Sequence, residues 1–338
     1  MLPRRAFACE CRRSHTNAKT RPKPTVSDTS ASLGRKIHSA GDLQSVVRTM
    51  KALAASSIGQ YEQSARALGD YYRTVELGLG VCLRGNNPVP SANSPKLDSG
   101  ENREINAVVF GSDQGLVGQF NDLVADHAIA ALAALPGRPR LWAVGERVQA
   151  RLVDADLTVR GLFPVPTSVK AITPLVGQIL VEHEAMSAPN PTAAPPELHL
   201  FYNRPTSGTG AVYAPVAQRL LPLDAHWQDE LTALPWPTKT LPEIVGSGIG
   251  DSDHAAAATL RALIREYLFV SLFRACAESL ASENASRLAA MERADRNIDD
   301  LLEDMNRRFH QLRQSGIDAE LFDVISGFEA LGLNGGTR

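Results

Sequence analysis

Apolar residues recur every seven positions at both ends of this chain. Ala40, Val47, Ala54, Tyr61, Leu68, Val75 and Cys82 form one column. Leu263, Val270, Ala277, Asn284, Met291, Ile298, Met305 and Leu312 form another. Seven-residue apolar spacing is the seam of a coiled coil. Leu43, Met50 and Tyr71 flank the first column and predict a second edge to its apolar stripe. Residues 25–87 and 243–338 contain no proline, which would remove a backbone donor and clash with the preceding turn. The pattern predicts one helix over 34–84, about 75 Å long, and a second over 253–331. The two wind together around a globular insert. A helix as long as the second cannot be buried throughout by one small domain, so part of it must meet other chains.

Between these ends the period changes. Short β-rich runs at 105–110, 140–144, 157–163 and 198–202 alternate with helical patterns at 121–135, 146–153 and 168–187. Strand–helix alternation with short turns predicts an α/β domain on a largely parallel sheet. Residues 211–221, which include Pro215, read as a last strand or an irregular edge. The expected organisation is a basic tail at 1–32, the first helix at 33–84 and a linker at 85–103. The α/β domain follows at 104–223, then a loop-rich return at 224–252, the second helix at 253–332 and a tail at 333–338.

Charge is uneven along the 338 residues. Residues 1–27 carry seven Lys or Arg against the single acid Glu10, leaving 28 basic and 36 acidic residues in the rest. A body with net charge −8 lacks the basic face that nonspecific nucleic-acid binding needs. Cys9, Cys11, Cys82 and Cys276 are too few and scattered for a disulfide framework, and Cys9 and Cys11 lack partners at zinc spacing. Cys82 and Cys276 are expected to pack as small apolar residues. No apolar run reaches membrane-spanning length. The Arg-rich start reads as a disordered tail, as a start codon assigned too far upstream, or as a mitochondrial transit peptide. No amphipathic pattern supports the last of these.

No catalytic constellation emerges. The loop GSDQGLVGQFN at 111–121 follows a strand and precedes a helix, where glycines can cradle phosphate. It has neither G-x-G-x-x-G nor a following Lys-Ser/Thr, and reads as a rigid turn presented to a partner. His127, His183, His199 and His310 are dispersed and read as surface or helix residues. Asp299, Asp300, Glu303 and Asp304 mix with Arg293, Arg296, Arg307 and Arg308 as a solvated charged face. Asn284, the polar member of its column, either sets register or faces outward where the seam drifts.

These residues resemble the gamma subunit family of F-type rotary ATP synthases. RKIHSAGDLQSVVRTMKALAAS, residues 35–56, looks like that family's opening helix, and GSDQGLVGQFN is similar to its glycine-rich loop. Tyr202 and Asn203, and the run LLPL at 220–223, match a further strand and its exit. The C-terminal resemblance is carried by Glu278, Ser282, Glu283, Arg287, Ala290, Met291, Ala294 and Asn297. It continues through Arg313, Gln314, Ile317, Glu320, Leu321, Ser326 and Gly327, so that residues 33–332 are covered in order.

The resemblance implies an antiparallel coiled coil of the two termini with a Rossmann-like α/β domain inserted between them. It implies a non-catalytic rotor shaft with no cofactor and no metal of its own. Its partners would be the alpha and beta subunits, the epsilon subunit and the ring of c subunits. It would be peripheral to the membrane, on the cytoplasmic face of a bacterial cell membrane or the matrix side of a mitochondrial inner membrane. Met50 would pass an acidic loop of beta, and Arg313 and Gln314 would form a polar catch near the upper shaft. Gln114 and Asp318 are partner positions that depart from the family pattern, where a basic residue and a threonine are usual. Val117, Gln119 and His310 depart likewise. Two other classes compete: a nucleotide-binding α/β protein with a helical arm, and a free-standing coiled-coil adaptor, which would need no α/β insert.

Overall fold

A computed structural model describes residues 29–84, 104–186, 197–206, 213–241 and 252–333. Residues 1–28 of the expected N-terminal tail and the linker at 85–103 lie outside the described residues, whereas residues 30–32, assigned to that tail, are helical. In chain order come helices α1 (Ser30–Ala67) and α2 (Gly69–Arg84), strand β1 (Glu104–Phe110), helix α3 (Phe120–Ala133) and strand β2 (Arg138–Val144). Helix α4 (Glu146–Asp154), strand β3 (Val159–Phe163), a 3-10 turn (Val169–Ala171) and helix α5 (Ile172–Met186) follow. Strands β4 (Glu197–Pro205) and β5 (Tyr213–Leu221), helix α6 (Ala225–Ala233) and helix α7 (Ser252–Leu333) complete the chain. Two compact units arise, one from residues up to Gly41 with those from Leu301, the other from Asp42–Asp300.

In the larger unit the five strands run in the order β3-β2-β1-β4-β5. β1 is parallel to β2 and β4, β2 is parallel to β3, and β4 is antiparallel to β5. Alternation along the strands gives the sheet two buried faces. Ile105, Ala107 and Val109 pack with Val124 and Ala128 of α3 and Val148 of α4. Val108 and Phe110 face the other way, into a cluster with α5, α2, Tyr61 of α1 and the α7 residues Leu268, Leu272 and Cys276. α7 is thereby enclosed: all nine residues from Ala275 to Glu283 are buried. A helix hidden on every side belongs to the middle of a core.

Both heptad columns supply buried residues: Val47, Ala54, Tyr61, Val75 and Cys82 on α1 and α2, and Val270, Ala277, Met291 and Ile298 on α7. Cys82 and Cys276 are free thiols inside this packing. The helices are antiparallel, since Gln44 reaches Asp299 while Tyr71 donates to Glu266 at 2.7 Å.

The structure corrects three details of the sequence reading. The expected single helix over 34–84 breaks at Leu68, which is a turn, before the chain restarts at Gly69. Glycine costs about 1 kcal/mol in a helix interior, which favours a break beside Gly69, although the Tyr72 N–H still donates to the Leu68 carbonyl at 2.8 Å. The column holds its register across it. The second edge is not buried: Leu43 and Tyr71 are exposed, and Gln44 takes the inner position. The loop-rich return contains α6, where the Asp224 side chain accepts from the Trp227 backbone N–H at 3.2 Å and Leu231 is buried.

In the smaller unit Leu33 and Met305 are buried, and a Cβ built on Gly34 would stand 3.8 Å from Phe309. The helices pair here too, but α1 begins at Ser30 and α7 runs on. Residues 311–329 of α7 are all exposed.

Candidate functional site

The glycine-rich loop is built around its own polar groups. The Ser112 backbone N–H donates to Asn121 Oδ1 at 2.9 Å, and Asn121 Nδ2 donates to Ser112 Oγ at 2.8 Å. The Asp113 carboxylate accepts from the backbone N–H of Glu146 at 3.0 Å and of Val165 at 2.8 Å. Gly111 and Gly145 are required by close approach. A Cβ on Gly111 would stand 2.4 Å from Val148 Cβ, and one on Gly145, at φ +112°, 2.8 Å from Ser112 backbone atoms.

The crevice beyond the carboxyl ends of parallel strands is where a nucleotide binds in doubly wound folds. Here Asp113 takes the first amide of α4, leaving a carboxylate at that helix end, where phosphate would need a free donor. That argues against a phosphate site at this end of α4. Gln114 and Leu116 remain exposed at the loop's tip, while Val117 is buried. The loop is also bound to α7, because Ser286 Oγ donates to the Val117 carbonyl at 2.5 Å.

The other candidate contact residues stand elsewhere. Met50 is half-buried on α1, within an outward strip of Leu43, Val46 and Leu53, each more than half exposed. Spacings of three and four put these side chains on one face. Arg313, Gln314 and Asp318 are exposed on α7, with Gln314 and Asp318 one turn apart. Around them Ile317, Leu321, Val324 and Phe328 form an exposed apolar stripe.

A polar seam escaped the sequence reading. The Asp295 carboxylate accepts from Arg48 at 3.1 Å and Lys51 at 3.4 Å, and Gln44 Nε2 donates to Asp295 and to Asp299. Desolvation would lift Asp295, but hydrogen bonds and charge from Arg48, then Lys51, hold it below the ordinary carboxylate range. The signal was present as bases and acids at helical spacing, hidden by the absence of any rule for which face meets which. Asn284 donates to the Leu280 carbonyl of its own helix at 2.8 Å, so this amide bond crosses to no partner helix.

One histidine needs correction: His199 is buried and on a strand, while His183 is, as expected, a helix residue, and is also buried. His199 pairs with buried Glu197 at 2.8 Å, and His183 Nδ1 lies 3.3 Å from Asn106 Nδ2. Burial pushes His183 down, chiefly by desolvation, with Glu184 opposing. Polar cores of this kind need partners more than they signal chemistry. Among the described residues no cluster of three or more His, Cys, Asp or Glu is arranged for a metal. No described helix is long and apolar enough to cross a membrane.

Comparison with known proteins bears on this arrangement. A family model described as ATP synthase matches residues 29–331. An ATP synthase gamma chain of Syntrophus aciditrophicus is 26% identical over 308 residues, spanning 88% of this chain and 96% of that protein. The ATP synthase gamma chain of Cyanothece sp. is 28% identical over 323 residues, spanning 89% and 98%. Among solved structures, a chain of the Euglena gracilis mitochondrial ATP synthase in its OSCP/F1/c-ring assembly superposes with a TM-score of 0.56. It is 16% identical, with 91% of this chain and 96% of that one covered. A chain of the Euglena rotor in rotational state 1 gives 0.54, with 85% and 98% covered. These structures share the fold.

Proposed function

The chain belongs to the ATP synthase family, and from that premise we propose that it is the central-stalk rotor subunit, the gamma chain, of an F-type ATP synthase. It couples ion flow through a membrane c ring to ATP synthesis or hydrolysis in an alpha/beta hexamer by rotating. It is non-catalytic, and nucleotide chemistry belongs to beta. With epsilon, the α/β domain stands on the c ring, and the chain is peripheral to the cytoplasmic face of a bacterial membrane.

The observation that carries this reading is α7 itself. One helix of 82 residues is locked into its own domain at one level and left bare over 311–329. A shaft must be gripped by its base and must offer a free surface to what it turns within. A single chain inside a three-fold hexamer also presents a different face to each catalytic site. Met50 and Gln114 are proposed to meet beta, Arg313 and Gln314 to form the polar catch, and Asp318 to be a further partner contact. The apolar strips beside Met50 and around Ile317 suit bearing surfaces, which hold by non-directional contact.

Reconstitution tests the reading. The purified chain alone should hydrolyse no ATP, and with alpha and beta it should complete an active complex whose hydrolysis depends on it. Full hydrolysis by alpha and beta without it, with no physical association, would overturn the proposal.

A further inference from the structure

Resting on the rotor reading, we propose that Glu278, Ser282 and Ser286 of α7 are the joint through which torque passes between the shaft and the α/β domain. These residues recur every fourth position, so they line one side of the helix and climb about 6 Å per step. Glu278 and Ser282 engage neighbouring residues of β4, and Ser286 engages the loop after β1. Glu278 accepts from Arg204 of β4 at 2.8 Å, and from Arg274 of its own helix at 2.8 Å. Ser282, wholly buried, donates its one proton to the Asn203 carbonyl of β4 at 3.0 Å or to the Glu278 carbonyl at 2.9 Å. Ser286 donates to the Val117 carbonyl in the loop after β1, with Tyr213 Oη of β5 3.3 Å away.

The domain ties these segments to one another. Asn203 Nδ2 donates to the Phe120 carbonyl at 2.9 Å, and Phe120 meets Tyr213 edge-on with ring centres 5.5 Å apart. Glu278 and Ser286, joined by Ser282 when its proton goes to Asn203, therefore tie α7 to the α/β domain at up to three heights by directional bonds. Apolar packing around the joint supplies cohesion but tolerates sliding, whereas hydrogen bonds fix azimuth and register. The other helix is poorly suited to the task, being interrupted at Leu68, while α7 is unbroken from Ser252 to Leu333.

The test uses the assembled alpha/beta complex fixed to a surface and stalled without nucleotide. A bead is carried on Val153→Cys of α4, in a chain whose own cysteines are replaced by alanine. The angular variance of the bead measures torsional stiffness directly. Glu278→Leu, Ser282→Ala and Ser286→Ala together should widen it at least about twofold, because each bond lost frees one point of the grip. Hydrolysis in the bead-free complex should stay close to wild type, since residues 311–329 are untouched. Ser282→Thr with Ser286→Thr, which keep the hydroxyls, should restore a narrow distribution. Wild-type variance in the assembled triple variant would overturn the proposal. Should the triple variant fail to assemble, Ser286→Ala alone decides by the same variance, in the same directions. A wild-type bead that never rotates on adding ATP would sink the rotor reading instead, so the two failures are distinct.

Discussion

Two stretches of α7 are different kinds of helix. From Ala275 to Glu283 every residue is buried, and from 311 to 329 every residue is exposed. Both are proline-free, and both carry apolar residues at helical spacing. What differs is who covers them. The first is packed by α1 residues and the α/β domain, and the second outruns α1. Long isolated helices are sustained by packing more than by propensity. On the rotor reading proposed above, the bare stretch is a bearing for a partner, and the covered one is core.

Truncating one side chain in each stretch gives the largest contrast. Leu272, at 0% exposure, is one turn before the enclosed stretch. Leu272→Ala should cost the isolated chain about 2–5 kcal/mol in urea unfolding. Leu321→Ala, at an exposed position, should stay within about 0.5 kcal/mol. Equal losses would erase the distinction. Glycine gives the next contrast, with a change of sign. A Cβ on Gly80 of α2 would stand 2.3 Å from the Leu231 carbonyl of α6, and Gly80→Ala should cost about 1–3 kcal/mol. Gly316, with nothing within 4 Å, sits in an open helix interior, so Gly316→Ala should stabilise by about 0.5–1 kcal/mol. A destabilised Gly316→Ala chain would show that the bare stretch packs against its own protein.

The sequence made the paired helices legible because heptad spacing and proline exclusion are repeated along tens of residues. Four strands and three helices of the α/β domain were legible for the same reason, each having a clear period. α6 was missed because nine residues between Pro222 and Pro235 give too short a pattern to outvote their flanks. Its N-cap Asp224 was the available clue. The break at Leu68 was invisible because the apolar column runs through it. Leu43 and Tyr71 show that apolar identity does not decide burial. Gln44 takes the inner place beside Leu43 by reaching carboxylates on the facing helix, and Tyr71 stays exposed with its hydroxyl on Glu266. Candidate contacts such as Arg313 rest on resemblance, because an exposed side chain leaves no mark on the chain's own packing.

Two carboxylates on α7 sharpen the contrast through pH. Burial pushes Glu283 up from its ordinary 4.5, with Arg287 opposing, at 2.6 Å, and Asp113 adding to it. The folded chain then binds this proton more readily than the unfolded one. Stability from this group falls as pH rises between the ordinary value and the raised one. Asp295 has the opposite sign, because its carboxyl is held low: its contribution is present above the unfolded value and lost as pH falls through the folded one. Glu283→Gln should therefore flatten the fall in urea midpoint between about pH 4 and neutrality. An unchanged slope would mean that ionising the enclosed carboxyl costs nothing.

The smallest expected effect on the isolated chain is the most informative about its surroundings. Arg313 and Gln314 are exposed on the bare stretch, so the double variant Arg313→Ala, Gln314→Ala should leave unfolding within about 0.5 kcal/mol of wild type. In the complex with alpha and beta the same variant should lower the number of ions moved per ATP hydrolysed. A polar catch acts only when a partner supplies the other half. Loss of stability in the isolated chain would place these side chains among its own structural contacts. Unchanged coupling in the assembled complex would instead leave the apolar stripe of Ile317, Leu321, Val324 and Phe328 as the working surface, and the catch would have no role.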